Sequence, residues 1–411
     1  MKKLHLSLLI AGTLIGASCS DSVTDDNGTN NGWELTRSIE LTPEESEGVE
    51  SFNDFSYELI GKAFEKNEKK PSNINFSCSP VSASIYFSMI ANAAGGESRK
   101  EVLDMLKVED INTLNSLNAK LMHYMPCKDN GAYLAIANAY WVAERNTVTP
   151  DFETTLKNVF NGEVKYVDFG VPSTADAINK WAKENSNGMI PIIIHDWRAH
   201  RSAEFFSADA VCFNGTWSSE FKEADTKKEK FNGVNNISVV DMMNCVETMR
   251  YLKSEKFQMV EKTFRGGANY VELYLPEEGV SLKELVNDLV SEKCKQIKES
   301  DKEYYEVTLS LPKFSHTDEF DLTEISSEMG VSLDNFDFSA MGLKIGQLEC
   351  KQNTSIKFDE HGVELAAITS GGMTIGDYHR PVTVNFNRPF FYIVRNEKTD
   401  MILMAGAVRD L

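Results

Sequence analysis

The sequence predicts an α+β fold built on large, mainly antiparallel sheets, and three observations point to it. Helical apolar spacing dominates the first half of the chain, strand-like runs dominate the second, and no internal repeat or regular strand–helix alternation is present. With 411 residues, 42% of them hydrophobic and 10% aromatic, the chain can bury a large core.

The chain opens with a targeting segment rather than a folded element. Lys2 and Lys3 precede an apolar run over 4–15 and the small residues Gly16, Ala17 and Ser18, immediately before Cys19. The run is too short to cross a bilayer comfortably, so the pattern predicts a cleaved signal over 1–18. Small residues before a Cys resemble a bacterial lipoprotein signal, which predicts lipidation of Cys19 and a membrane anchor. Ser20 fits the outer-membrane sorting pattern, and Asp21, Asp25 and Asp26 faintly match acidic surface-export tags, so the expected location is the outer membrane, on its surface or its periplasmic face. Residues 19–48 are rich in Ser, Thr, Asn, Asp and Glu and read as a flexible tether. The folded domain is expected over 49–411.

Phe52, Phe55, Leu59, Ala63 and Phe64 fall at helical spacing, so the domain begins with an amphipathic helix over 49–66. Further helices are predicted at 80–93, 98–106, 113–122, 150–159, 174–185 and 282–297. Strands are predicted at 133–142, 208–213, 237–243, 258–260, 269–275, 306–311, 382–386, 390–395 and 401–408. Between the strands at 306–311 and 382–386 lies "DEHGVELAAITSGGMTIGDYHRP", residues 359–381, whose first half alternates like a strand while its second half is Gly-rich and Pro-terminated like an exposed loop.

The formal net charge of −20 argues against a nucleic-acid partner, because a phosphate backbone would be repelled. Beyond Cys19 there are Cys78, Cys127, Cys212, Cys245, Cys294 and Cys350, none in a CxxC pair and most within apolar stretches, which predicts buried free thiols. No GxSxG, HExxH or catalytic Cys context is present, so no enzyme site assembles from motifs. Gly371 and Gly376 are spaced like a phosphate loop, but Asp377 and Tyr378 stand where Lys and Ser/Thr are required. His195, Asp196 and His200 are too loosely spaced for a metal site and read as surface residues. No cofactor is expected.

Taken in order, the motifs resemble the serpin family. "NFSCSPVSASIYFSMIANAAGGESRKEVLDML" (75–106), "LAIANAYWV" (134–142), "VDF" (167–169), "INKWAKENSNGMI" (178–190), "FNGTW" (213–217) and the pair Met242-Met243 are followed by "LPEEG" (275–279), "LPKF" (311–314), "DFS" (337–339) and "FNRPFFYIV" (386–394). The resemblance covers roughly 49–411. It implies three β-sheets, eight or nine helices and an exposed reactive loop. It also implies a monomeric suicide inhibitor of serine proteases, with cysteine proteases as a second target class. Insertion of the cut loop as a new central strand is the family's known behaviour, carried over here as such.

Residues 359–381 suit that behaviour. A strand has period 2, so one face of the inserted loop carries Val363, Leu365, Ala367, Thr369, Gly371, Met373 and Ile375, and the other Glu364, Ala366, Ile368, Ser370, Gly372, Thr374 and Gly376. The first set is almost wholly apolar or small, and burying its larger members would yield roughly 1.5–3 kcal/mol each. Insertion of about fifteen residues at ~3.3 Å each would carry a tethered protease about 50 Å. The implied hinge comprises Glu360, Gly362, Val363, Glu364, Leu365, Ala366 and Ala367, with Val363 where the family prefers Thr or Ser, and with Leu365 and Ile368 bulkier than the family's Ala run. The implied sheet-opening region comprises Ser79, Ser82, Asp209, Trp217 and Gln352. Asp209 and Gln352 stand where the family has Asn and His, which predicts an Asp–Gln hydrogen bond and loss of the pH sensitivity owed to that His.

Counting forward from Glu360 places the scissile bond at Gly376–Asp377, while counting back from Pro389 places it after Tyr378, because the loop is two residues longer than is typical. Tyr378 would draw chymotrypsin-like proteases, and Ile375 or Met373 elastase- or subtilisin-like ones. Arg380 is a poor trypsin site because Pro381 follows it. A non-inhibitory binding protein on the same fold is the alternative reading.

Overall fold

The computed structural model describes residues 39–69, 75–125, 127–128, 132–291, 301–344, 346–362 and 380–411, all within one compact unit, Leu35–Leu411. The signal segment, Cys19, hinge residues Val363, Glu364, Leu365, Ala366 and Ala367, and the candidate bonds at Ile375, Gly376, Asp377 and Tyr378 lie outside the described residues.

Helix α1 (Pro43–Glu68) starts six residues before the sequence expectation, so 43–48 belong to the helix and not to the tether. The cause is a capping box. Thr42 accepts a hydrogen bond from the Glu45 amide while the Glu45 carboxylate accepts one from the Thr42 amide, and Pro43 occupies the first turn, where its missing N–H costs nothing. After β1 (Phe76–Cys78), Ser79 caps α2 (Pro80–Ala93), whose residues are buried almost all round. Such a helix must thread the core rather than lie on it. Helices α3 (Gly96–Leu106) and α4 (Ile111–Tyr124) pack beside it.

Three sheets are present among the described residues. In the first, β2 (Cys127–Lys128), β4 (Glu163–Val167) and β5 (Phe205–Gly215) all pair with β3 (Ala132–Ala143), β5 antiparallel from Ala132↔Gly215 to Val142↔Phe205. Helix α5 (Pro150–Phe160) connects β3 to β4. Helix α6 (Pro172–Asn185) covers the outer face, where Trp141, Ile178, Trp181, Phe206, Ala208 and Ala210 form a second apolar cluster. The opposite face joins the main core.

The largest sheet follows in sequence: β6 (Lys227–Asn232), β7 (Ile237–Lys253), β8 (Phe257–Thr263) and β9 (Asn269–Pro276), then α7 (Leu282–Leu289) and β10 (Glu303–Pro312). The remaining small sheet is β11 (Phe314–Asp321), which leads into α8 (Leu322–Glu328), paired antiparallel with β12 (Lys351–Phe358). Last come β13 (Pro381–Asn385), parallel to β10, and β14 (Phe390–Asn396) and β15 (Ile402–Val408), which extend the nine-stranded sheet. Strand β6 escapes an apolar-period reading because KKEKFN buries only Phe231.

Under this sheet lies a buried ion cluster. Glu272 receives Arg395 Nε at 2.7 Å and Lys302 Nζ at 2.9 Å, Lys302 also lies 3.3 Å from Glu261, and Tyr57 and Tyr274 complete the hydrogen bonding. Burial alone would raise the Glu272 carboxyl, but Arg395 and Lys302 bring it down to about 2.

The cysteines Cys78, Cys245 and Cys350 are free, the first and last buried. Among the described residues no helix is long and apolar enough to cross a membrane, and no group of three or more His, Cys, Asp or Glu is placed to hold a metal ion.

Candidate functional site

The residues assigned to hinge and sheet opening fall into two groups, above and below a break in the sheet. Strand β5 is antiparallel to β3 and β12 is antiparallel to β11, but among the described residues no ladder joins β5 to β12.

At the upper end of the break the chain reverses in two residues. Asp359 and Gly362 exchange hydrogen bonds, Asp359 N to Gly362 O at 3.0 Å and Gly362 N to Asp359 O at 3.2 Å, so Glu360 and His361 form the turn. Gly362 also bridges Thr216, antiparallel, just beyond β5. The backbone at Gly362 therefore stands between the ends of β5 and β12, antiparallel to both. Only glycine fits there: φ is +130°, and an added Cβ would overlap the Gly215 carbonyl oxygen and lie 2.7 Å from Thr216 Cα.

Trp217 fixes this turn. Its indole N–H donates to Asp359 O at 2.9 Å, its amide donates to His361 O at 2.9 Å, and its ring stacks on Phe264 at 4.7 Å. The Phe221 amide donates to Glu360 O at 2.9 Å. The Glu360 carboxylate meets Lys313 Nζ at 2.6 Å and accepts from Thr226 Oγ1 at 2.9 Å. Burial would raise the Glu360 carboxyl, but Lys313, with the backbone and Thr226, lowers it. Glu220 lies 2.9 Å from His361 Nδ1. Thr226, Lys313, Glu220 and Phe221 were not legible as functional, because they meet the hinge only through the fold.

At the lower end, Ser79 ties β12 to the start of α2. Its amide donates to Gln352 Oε1 and its carbonyl accepts from Gln352 Nε2, both at 2.9 Å, while Ser79 Oγ donates to Leu403 O at 2.8 Å. Asp209 instead accepts from Ser82 Oγ. The expected Asp209–Gln352 bond is absent, because Ser79 occupies both ends of the Gln352 amide and Asp209 belongs to the other side of the break. Between them is a cavity of about 270 Å³, lined on one side by 206–211 and on the other by 351–353, with Tyr86 and Trp181 among its walls. His195 and His200 border it too. His200 is half-buried against Phe206, which corrects its reading as a plain surface residue.

Asp209 Oδ2 is buried and has no hydrogen-bond partner among the described residues. Burial, partly offset by the Ser82 bond, pushes its carboxyl up to about 8. A carboxyl with a raised pKa therefore stands in the region where Gln352 replaces the family's His. An acid whose folded pKa is raised is favoured protonated, so its contribution is best at low pH and is lost as pH rises from about 4 toward 8. Asp209→Asn keeps the shape and removes the charge. It is expected to raise stability at pH 8 by about 1–3 kcal/mol and to flatten the pH dependence above pH 4, read by thermal unfolding across pH.

The comparisons with known proteins agree with this geometry. The family model described as serpin (serine protease inhibitor) matches residues 50–411. Among curated relatives, Serpin-Z10 of Arabidopsis thaliana is 28% identical over 359 residues, 82% of this chain and 92% of its own length. Another Arabidopsis thaliana protein, described as probable non-inhibitory serpin-Z5, is 24% identical over 383 residues, 89% of this chain and 84% of its own. Among solved structures, the thermophilic serpin tengpin in its native state superposes with a TM-score of 0.78 at 26% identity, covering 92% of this chain and 97% of tengpin. Serpins are in general protease inhibitors, with non-inhibitory members among them. On its fold, its hinge geometry and the match across its whole folded part, this chain belongs to the serpin family.

Proposed function

We propose that this serpin inhibits serine endopeptidases of the chymotrypsin, elastase or subtilisin type by acylation followed by loop insertion between β5 and β12. The observation that carries the reading is Gly362, seated between Thr216 and Asp359 and antiparallel to both flanking strands, which among the described residues lack each other as partners.

The register at Gly362 makes the proposal specific. Each step forward along the loop is one step back along β5 and along β12, so seven residues on, Thr369 would stand opposite Asp209 and opposite Gln352. Opposite residues share a face. Val211 and Phe213 pack into the main core, whereas Phe206, Ala208 and Ala210 face α6. Val363, Leu365, Ala367, Thr369, Gly371 and Met373 would therefore enter the core, which is the apolar set that the sequence pattern sorts to one face. Its hydroxyl residue, Thr369, would meet the orphan oxygen of Asp209. Until cleavage this insertion is held back, so the lifetime of the intact fold is kinetic.

The bait is proposed at Tyr378, with Gly376–Asp377 and Ile375 behind it. A lipid anchor at Cys19 and the tether would display the inhibitor at a bacterial outer membrane, against host or neighbouring proteases. The proposal is tested by incubating the chain lacking 1–19 with chymotrypsin and with elastase. Denaturing gels are expected to show a covalent adduct, and mass spectrometry of the released C-terminal fragment to begin at residue 379, 377 or 376. Cleavage with no adduct from either protease would favour the non-inhibitory reading, which the bulk of Val363 and Leu365 supports.

A further inference from the structure

The hinge turn carries a titratable side chain that insertion does not require. His361 lies with Nδ1 2.9 Å from Glu220 Oε2 and Nε2 3.5 Å from Glu223 Oε1, both carboxylates belonging to the segment that follows β5. Its own backbone carbonyl accepts from Trp217 N, and the adjoining Glu360 carbonyl from Phe221 N. The ring thus bridges, by side chain, the same two segments that the backbone bridges. The neighbouring charges are accounted for: Arg265 Nη2 holds the other Glu220 oxygen at 3.0 Å, Lys357 pairs with Asp359 at 3.2 Å, and Lys313 with Glu360 at 2.6 Å. Among the described residues, no cation other than a protonated His361 is placed between its ring and the two carboxylates.

A neutral imidazole has one N–H and can donate to only one of the two carboxylates, whereas imidazolium donates to both and adds an ion pair. The side chain is 36% exposed, so protons reach it from solvent. We propose that protonation of His361 locks the hinge turn onto the segment after β5, and that the seat of Gly362 against Thr216 loosens as the imidazole loses its proton. The lock concerns the seat itself, and reaches inhibition only through the insertion reading above.

The direction follows from the surroundings. The hydrogen bond to Glu220, opposed by burial and helped by the nearby carboxylates, raises the His361 pKa. A base with a raised folded pKa contributes fully below its ordinary value near 6.5, and the contribution is lost as pH rises through the raised value. The lock is closed in mild acid and releases as pH rises through the raised value.

The test is amide hydrogen exchange, corrected for the intrinsic pH dependence, at the Trp217, Phe221 and Gly362 amides, with amides of β14 and β15 as the remote reference. In the wild-type chain, protection at the three hinge amides is expected to fall on the order of fivefold relative to the reference between pH 6 and pH 9. His361→Gln retains a donor but does not titrate, and is expected to give a flat profile. Asp209→Asn removes the buried carboxyl whose raised pKa falls in the same pH range and should keep the slope. A flat wild-type profile, or the same slope in His361→Gln, overturns the lock. If His361→Gln also lowers the reference amides, the wild-type profile beside Glu220→Gln decides, the latter expected to halve the slope or more. A sloped profile in a protein that forms no adduct overturns inhibition and leaves the lock standing; a flat profile in one that does form it does the reverse.

Discussion

Gly362→Ala is expected to convert the inhibitor into a substrate. The turn at 359–362 needs φ near +130° at Gly362, and an alanine there would both strain the backbone and drive its Cβ into the Gly215 carbonyl. Strain of this kind costs about 1–3 kcal/mol, so the variant's hinge would leave the seat from which insertion starts, and the rate of insertion should fall by roughly one to two orders of magnitude. The acyl bond then has time to hydrolyse. Titration against chymotrypsin should show the moles of serpin consumed per mole of enzyme rising at least severalfold, with cut serpin replacing the adduct on gels. The variant's unfolding temperature before cleavage should change little, because the seat is a local contact at the edge of the main core. An adduct yield equal to that of the wild type would mean that insertion does not start from this turn.

The second large effect is expected at the buried ion cluster. Replacing Glu272 by Ala leaves Arg395 and Lys302 facing each other in a buried site, and removing one partner of such a cluster costs about 3–5 kcal/mol. A domain's stability is only about 5–15 kcal/mol, so Glu272→Ala should unfold many degrees below the wild type or accumulate as aggregate. The sign with pH is fixed by the lowered carboxyl. Its contribution is present above the unfolded value near 4.3 and is lost as pH falls from there toward about 2. Wild type and variant should therefore differ most at pH 6–8 and converge in strong acid, as unfolding midpoints measured across pH would show.

Most of the architecture was legible because apolar periodicity and the motif series carry it, and the exceptions have particular causes. Strand β12 was not identified although its burial alternates regularly, because polar residues fill inward positions: Gln352 is satisfied by Ser79 and Thr354 by Ser77. A hydrophobic pattern is blind to such a strand. The early start of α1 was written in Thr42, Pro43 and Glu45, a capping signal that apolar spacing alone passes over. In the site, residue types indicated where Asp209 and Gln352 would lie but not which neighbour each would choose, and only the fold shows Gln352 spent on Ser79. His361 was equally silent, since nothing local marks Glu220 and Glu223 as its partners. By contrast, parity alone sorts the residues from Val363 to Met373 onto two faces, and the register at Gly362 would send the apolar set toward the core on insertion.

The proposed fate of the segment after Gly362 is to become the central strand between β5 and β12. It is tested most directly by the unfolding temperature of the chain before and after a single cut in the loop, with the fragments left together. Insertion would complete a ladder between two strands that, among the described residues, lack each other, and would bury Val363, Leu365 and Met373, so the cut form is expected to melt tens of degrees above the intact one. A cut form that melts at the intact temperature would contradict the claim.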